Sequence, residues 1–531
     1  MSRRKEGWGS RIGVILAVAG SAVGLGNFLR FPGLAAKYDG GVFLIPYFVA
    51  LLLLGIPLCW AEWTLGRTGG RAGWNGAPGM FRAITGWRHG HYFGVLGLLI
   101  PIVIYMYYVY IEAWCFAYAY YYLTGAMALG RDPAAYGKFF ETFVGIPADG
   151  AIFAGGLQPA VVSLIFCFAI NFFLIFRGIS RGIEKFCLYA MPLLIVCAVI
   201  VLVRVLTLGT PDPAHPEQNV LNGLGFMWNP KIPEGGSLLG ALANPELWLQ
   251  ATGQVFFTLS VGFGIVMTYA SYLGDRDDVV LSGATASATN EFCEVCLGGL
   301  ITIPAAFLFL GADAIQKVAG STLGLGFYTI PVVFEYMPAG SLFGFLWFFL
   351  LALAALTSSL SMLQPVIAFL EETFDLGRHA SVALLGLLTG IGTLLVVFLS
   401  RDLVALDVMD FWVGQVGIFL LGTVITIVFG WVLGVERGVA EAQRGALMRL
   451  PRWFPFVIKY VSPTYLLLVL AGFLWKDAGK YVAKLAEDRS AGLTMLFIVA
   501  LTVLFTVLVR VGAKRTAGPG RQGGYREARR T

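Results

Sequence analysis

Charge is scarce in this chain. Only 13 % of its 531 residues are Asp, Glu, Lys or Arg, whereas 58 % are hydrophobic and the mean hydropathy is +0.77. A soluble globular domain carries about 25 % charged residues, so the composition excludes one. Histidine is rarer still: His89, His91, His215 and His379 are scattered over predicted loops and form no metal cluster. The seven cysteines (Cys59, Cys115, Cys167, Cys187, Cys197, Cys293 and Cys296) fall within or at the ends of predicted helices, so no disulfide framework is implied. The pair in "CEVC" lies mid-helix in an apolar run without companion ligands, which reads as packing. Missing as well are G-x-x-x-x-G-K-S/T, H-E-x-x-H and G-x-S-x-G, the signals of nucleotide-driven work and of hydrolysis. No nucleophile and base stand together, and an enzyme is not indicated.

What the chain has instead is long apolar runs. A bilayer core about 30 Å thick needs about 20 apolar residues per helix, and runs of that size occur at 12–36, 41–66, 91–125, 158–176, 184–206, 240–272, 279–311, 340–370, 380–399, 405–432, 455–475 and 490–512. The expected fold is an all-α polytopic membrane protein of twelve spans. Basic residues favour the cytoplasmic side, and they gather at Arg3, Arg4, Lys5 and Arg11, at Arg67, Arg71, Arg82 and Arg88, at Arg177, Arg181 and Lys185, and in the C-terminal tail. Both termini are therefore expected in the cytoplasm, with the chain in the plasma (inner) membrane. Topology and anionic lipid account for the basic tail without a nucleic-acid partner. The first apolar run is too long, and too poor in a small-residue cleavage site, to be a signal peptide.

Within "AVAGSAVGLGNFLRFP", residues 17–32, Gly20, Gly24 and Gly26 crowd the middle of the first span. In hydrocarbon a broken helix is tolerated only where protein or a cavity satisfies its backbone. Five spans later "GQVFFTLSVGFGIVMTYASY" places Ser260, Gly262 and Gly264 mid-span. Paired interruptions at matching positions of two halves point to a carrier built from inverted repeats, with its site at the midplane. Glycines alone are as consistent with close helix packing. Their polar company decides: Asn27 follows the first break, Thr258 and Ser260 flank the second, Asn290 and Glu294 lie in the seventh span, and Thr357 and Ser358 in the eighth. Apart from the Glu294 carboxylate, these are neutral oxygen donors, which suit a hard alkali cation such as sodium and not zinc, copper or iron.

The strings "AVGLGNFLRFP", "GIPLCWAEW", "YYVYIEAW", "RGISRGIEKF", "FFTLSVGFG", "TYASY", "FLWFFLLALAALTSS" and "MDFW", in this order from Trp8 to about Arg510, resemble the neurotransmitter:sodium symporter family, most closely its bacterial leucine-transporting branch. The resemblance implies two inverted five-helix repeats with helices 1 and 6 broken. It divides the chain into a cytoplasmic segment 1–11, a first repeat 12–206, an extracellular loop 207–239, a second repeat 240–432, two further helices in 433–513 and a basic tail 514–531.

Carried over position by position, the resemblance places one sodium ion among Ala22, Asn27, Thr258, Asn290 and the substrate's carboxylate. A second would lie among Gly20, Val23, Ala354, Thr357 and Ser358. The substrate carboxylate would meet the amides of Leu25 and Gly26 and the Tyr108 hydroxyl, at a helix end with free donors. Its ammonium would meet carbonyls of Ala22, Phe257 and Thr258, and Ser260. Val23, Ile104, Tyr108, Phe257, Phe263, Ser358 and Met362 would form the side-chain pocket. Monoamine carriers of the family place an aspartate where this chain has Gly24, so the substrate must bring its own carboxylate. Ser21, Ile104 and Met362 stand where the leucine-transporting branch has asparagine, valine and isoleucine, which leaves the preferred amino acid open.

For the gates, the resemblance implies Arg30 and Asp410 with Gln254 on the outer side. On the inner side it implies Lys5, with Arg4 as its alternative, near Trp8, Tyr272 and Glu372. Chloride-dependent members carry a small hydroxyl residue where this chain has Glu294, so a built-in carboxylate would replace chloride. Glu62 and Glu112 read as structural acceptors of hydrogen bonds. The implied activity is symport of a neutral, apolar α-amino acid with two Na⁺ ions and no chloride. A proton-coupled carrier of the same repeat fold is the alternative. Amino acid and membrane lipid are the expected partners, nucleic acid is not, and a homodimer stays open.

Overall fold

The computed structural model describes residues 7–154, 158–232, 236–318, 322–476 and 478–516. Lys5, Arg4 and the tail beyond 516 lie outside them. Among the described residues ten helices are long and apolar enough to cross a membrane: Gly41–Arg71, Gly90–Thr124, Pro159–Phe176, Ile179–Leu206, Val279–Ala312, Gly340–Phe374, Arg378–Phe398, Arg401–Ala442, Phe454–Lys476 and Arg489–Arg515. An eleventh span is the pair Arg11–Ala22 and Gly26–Lys37, bent by 46°. The sixth of the twelve expected spans is divided into Pro245–Thr258 and Ile265–Ala270, each too short to cross a bilayer alone. Several helices outrun the apolar runs, the tenth span most clearly, because polar turns continue a helix past the hydrocarbon edge.

Local chemistry sets the helix starts. Ser10, Asp278 and Asp488 accept from the backbone amides of Gly13, Leu281 and Ala491 at 3.0, 2.8 and 3.0 Å, which satisfies donors the first turn leaves over. The eighth span packs along the third, and the first span lies against the seventh, eighth and fifth. This arrangement encloses both breaks. All seven cysteines are free thiols.

Arg67 of the second span is fully buried. Its guanidinium donates to the carbonyls of Asp277 at 2.6 Å, Arg444 at 3.0 Å and Glu441, and pairs with the Glu441 carboxylate at 3.2 Å. The second span, the connection after the sixth and the end of the tenth are thus tied by one side chain. Replacing Arg67 by methionine keeps the bulk and leaves three carbonyls without their donor, which should cost roughly 3–5 kcal/mol. A thermal melt in detergent should drop by several degrees, and an unchanged melting temperature would show that the tie carries no stability.

Candidate functional site

The two breaks are built differently. At the first, Val23 turns extended (φ −71°, ψ 97°), and its amide still reaches the Ala19 carbonyl at 2.6 Å. Gly20, Gly24 and Gly26 are absent from the residues with positive φ, so these glycines provide room rather than conformational freedom. A Cβ on Gly20 would lie 3.2 Å from Thr357 Cβ, one on Gly26 3.1 Å from the Phe257 ring, and one on Gly24 2.7 Å from both the Ser358 and Tyr108 hydroxyls. At the sixth-span break the left-handed backbone is real: Ser260 has φ +53°, Gly262 +77° and Gly264 +82°. Left-handed geometry disfavours a side chain, yet Ser260 adopts it while its Oγ donates to the Ser21 carbonyl at 2.9 Å. Glu62 Oε1 accepts from the Gly262 amide at 2.5 Å, and Glu112 accepts from Ser359 at 2.5 Å and Asn171 at 2.9 Å. Both buried carboxylates thus act as the structural acceptors expected of them.

Between the breaks oxygens converge. The Asn290 amide oxygen lies 3.2 Å from both the Ala22 and the Thr258 carbonyls, and accepts from Asn27 Nδ2 at 2.8 Å. Turned over, the amide would donate to those carbonyls; amide orientation is assigned from such partners, so the spot suits either an N–H or a cation. Asn27 Oδ1 accepts from the Gly24 amide at 2.8 Å. Behind this group Glu294, fully buried, accepts from Gln254 Nε2 at 2.7 Å, from the Thr258 hydroxyl, and from Asn27 Nδ2 and Asn290 Nδ2, each at 3.4 Å. Asn290 ends a regular turn, and Glu294 lies in the widened helical stretch Phe292–Gly299. Such stretches frequently occur at functional sites.

The other expected residues fall close by. Ser358 Oγ donates to the Gly20 carbonyl at 3.3 Å, and Thr357 Oγ1 to that of Ala354 at 3.0 Å. The Leu25 amide donates to the Tyr108 hydroxyl at 3.0 Å. Phe257 and Phe263 meet edge to face at 5.9 Å. Ile104 and Met362 are buried on the third and eighth spans.

Above Phe257 the Arg30 guanidinium sits 4.8 Å from the ring centroid and 3.8 Å from Asp410. A cavity of about 320 Å³ opens there, with Leu25, Tyr108, Phe257, Arg30 and Asp410 in its lining. The Gln254 amide donates to Glu294 and to the Gly26 carbonyl, the latter at 3.3 Å. At the opposite end Trp8 Nε1 donates to the Tyr269 carbonyl at 3.0 Å, and the Tyr272 hydroxyl accepts from Gln364 at 3.1 Å. Glu372 accepts from the amides of Asn75 and Gly76 at 2.6 and 3.1 Å.

Some participants were not visible in the sequence. Tyr107 donates to Asp410 at 2.7 Å, although nothing in its spacing separated it from its neighbours. Glu184 accepts from the Gly9 amide at 2.7 Å and Ser10 Oγ at 3.0 Å, and Asp278 pairs with Arg11 at 3.2 Å. Asp278 had a signal, an acid placed to cap the apolar seventh span.

The model of the sodium:neurotransmitter symporter family matches residues 5–136 and 134–516. A sodium-dependent transporter of Methanocaldococcus jannaschii, itself uncharacterized, is 29 % identical over 479 residues, 89 % of this chain and 90 % of the relative. YhdH of Bacillus subtilis, also an uncharacterized sodium-dependent transporter, is 28 % identical over 484 residues, 88 % and 97 % of the two chains. A rat sodium- and chloride-dependent transporter is 28 % identical over 334 residues, 58 % of this chain and 49 % of the relative. Among solved structures, MhsT in complex with L-phenylalanine superposes with a TM-score of 0.75 at 26 % identity, covering 88 % of this chain and 99 % of that one. With its twice-broken helical fold and a family match running almost from end to end, the chain belongs to the sodium:neurotransmitter symporter family and is a sodium-dependent transporter of the membrane.

Proposed function

We propose that the chain carries a neutral, apolar α-amino acid inward together with two sodium ions, by alternating access and without chloride, its termini in the cytoplasm. One observation carries this reading. Beside the oxygens of Ala22, Thr258 and Asn290 stand the Leu25 amide and the Tyr108 hydroxyl, donors that suit a carboxylate, while Gly24 carries no side chain and has no room for one. The substrate brings the carboxylate, and a cation among those oxygens then touches it. The likeness to a structure holding L-phenylalanine supports an apolar amino acid, as do Phe257 and Phe263. Gly20, Val23, Ala354, Thr357 and Ser358 hold the second ion, Arg30 and Asp410 close the outer side, and Glu294 supplies the negative charge that chloride would bring.

Binding of the twenty amino acids, competed with and without sodium, identifies the substrate. Uptake into liposomes should fall to background when choline replaces sodium at constant pH; uptake that survives would mean a proton drives the carrier. Asn27→Ala and Thr258→Ala should each weaken sodium and amino-acid binding together, by about tenfold, because coupling between two ligands is reciprocal. An unchanged sodium affinity in the presence of substrate would contradict the shared ion.

A further inference from the structure

A serine hydroxyl within a membrane helix commonly bonds back to a carbonyl one turn earlier, as the Thr357 hydroxyl does to Leu353 and Ala354 at 3.1 and 3.0 Å. Ser21 does otherwise. Its Oγ donates across to Ser361 Oγ at 2.7 Å, with Ser260 Oγ 3.3 Å away. Ser361 Oγ passes the bond on to the Ser358 carbonyl at 2.7 Å. The Ser21 carbonyl accepts from Ser260 Oγ at 2.9 Å and from Ser358 Oγ at 3.2 Å. All four serines are buried. A single residue therefore fastens the last turn before the first break to the sixth-span break and to the eighth span.

Its place in the chain gives this its consequence. Ser21 lies between Gly20 and Ala22, whose carbonyls face the two candidate cation sites, and two residues before Val23. The last carbonyls of a helix have no partner within it, so their directions are set by whatever holds the backbone. Here the Ser358 hydroxyl, shared between the Gly20 and Ser21 carbonyls, and the Ser260 hydroxyl hold it. A ligand set binds strongly only when its own supports keep it aimed.

We propose that Ser21 is a positioning residue for both cation sites: its four-serine clamp, closed through Ser361, keeps the carbonyls of Gly20, Ala22 and Val23 directed at the ions. This rests on the reading of those sites as sodium sites. Ser21 itself touches neither ion through its side chain.

The test uses the purified full-length chain, melted over a sodium chloride series with N-methyl-D-glucamine holding ionic strength constant. Sodium must first raise the melting temperature of the native protein; if it does not, the sodium-site reading falls, and the clamp with it. Ser21→Ala should raise the half-saturating sodium concentration about tenfold, the usual effect of removing a support behind a metal ligand, while the sodium-free melting temperature falls only slightly, as for one buried hydrogen bond in a chain of this size. Ser361→Ala leaves the Ser21 backbone contacts in place and should give a similar rise. The double variant should be no worse than the poorer single, since both cut one bond. Ser21→Thr, which keeps the hydroxyl, should recover most of the affinity. Native sodium dependence in Ser21→Ala, additive effects in the double variant, or a fall in sodium-free stability with unchanged sodium affinity would each overturn the clamp, the last by reducing Ser21 to a packing residue.

Discussion

An aspartate at Gly24 will silence this carrier and will not convert it to amines, and even a methyl group there will weaken amino-acid binding. A Cβ at Gly24 would stand 2.7 Å from the Ser358 and Tyr108 hydroxyls, and neither neighbour is free to give way. Ser358 Oγ is engaged with the Gly20 and Ser21 carbonyls and the Tyr108 hydroxyl with the Leu25 amide, so moving either one undoes the arrangement at the break. Gly24→Ala should therefore lower amino-acid affinity at least about tenfold through crowding alone. Gly24→Asp adds a charge beside the place of the substrate's carboxylate. Two like charges about 4 Å apart at an effective dielectric near 20 repel by about 4 kcal/mol, roughly a thousandfold in affinity. Protonating the aspartate would remove the repulsion but leave the crowding. Uptake of the labelled amino acid that the competition screen selects, and of the amine left by removing its carboxylate, by native and variant protein at equal density checks both statements. Amino-acid uptake by Gly24→Asp within a few-fold of native, or efficient amine uptake, would show that the carboxylate does not bind here.

The two breaks show how much of this site the residues disclosed. Glycines in the first and sixth spans announced both interruptions, and Asn27, Thr258, Asn290, Thr357 and Ser358 announced that polar groups gather beside them, because such groups in hydrocarbon need partners within the protein. The letters did not say why each glycine is there. Gly262 and Gly264 supply positive φ, whereas Gly20, Gly24 and Gly26 supply space against Thr357, Ser358, Tyr108 and Phe257, a distinction set by neighbours hundreds of positions away. The left-handed turn at Ser260 was illegible for the same reason: a tertiary hydrogen bond to the Ser21 carbonyl stabilises it, and no local preference does. The resemblance set Gln254 beside the outer gate; that its amide donates to Glu294 and to the Gly26 carbonyl was not legible, because a helical position fixes a side chain's direction only to within a turn. Ends of spans were blurred where a polar turn prolonged the helix, as between 432 and Ala442.

Transport by the native protein should be indifferent to chloride, and Glu294→Ser should make it chloride-dependent. Glu294 is wholly buried and receives four hydrogen bonds, from Gln254, Thr258, Asn27 and Asn290. Three of those donors belong to the proposed first cation site, so the carboxylate faces the ion through one layer of ligands. A buried cation without a matching anion is costly by several kcal/mol, and Glu294 offsets that cost with a charge that never leaves. Serine in its place loses the charge, brings a hydroxyl that can donate where the carboxylate only accepted, and opens part of the volume of a carboxylate group. A small halide could enter that space, met by the same amide and hydroxyl donors. In gluconate medium the variant should therefore transport at least about tenfold more slowly than in chloride, a conservative share of that cost. The native protein should run equally well in both, measured as sodium-driven uptake in liposomes with the anion exchanged on both sides. Glu294→Gln serves as the control: it fills the space without the charge, so it should be slow in both media. Loss of native activity in gluconate would mean that chloride is required despite the carboxylate, and equal rates of Glu294→Ser in both salts would mean that the charge of Glu294 has no part in sodium binding.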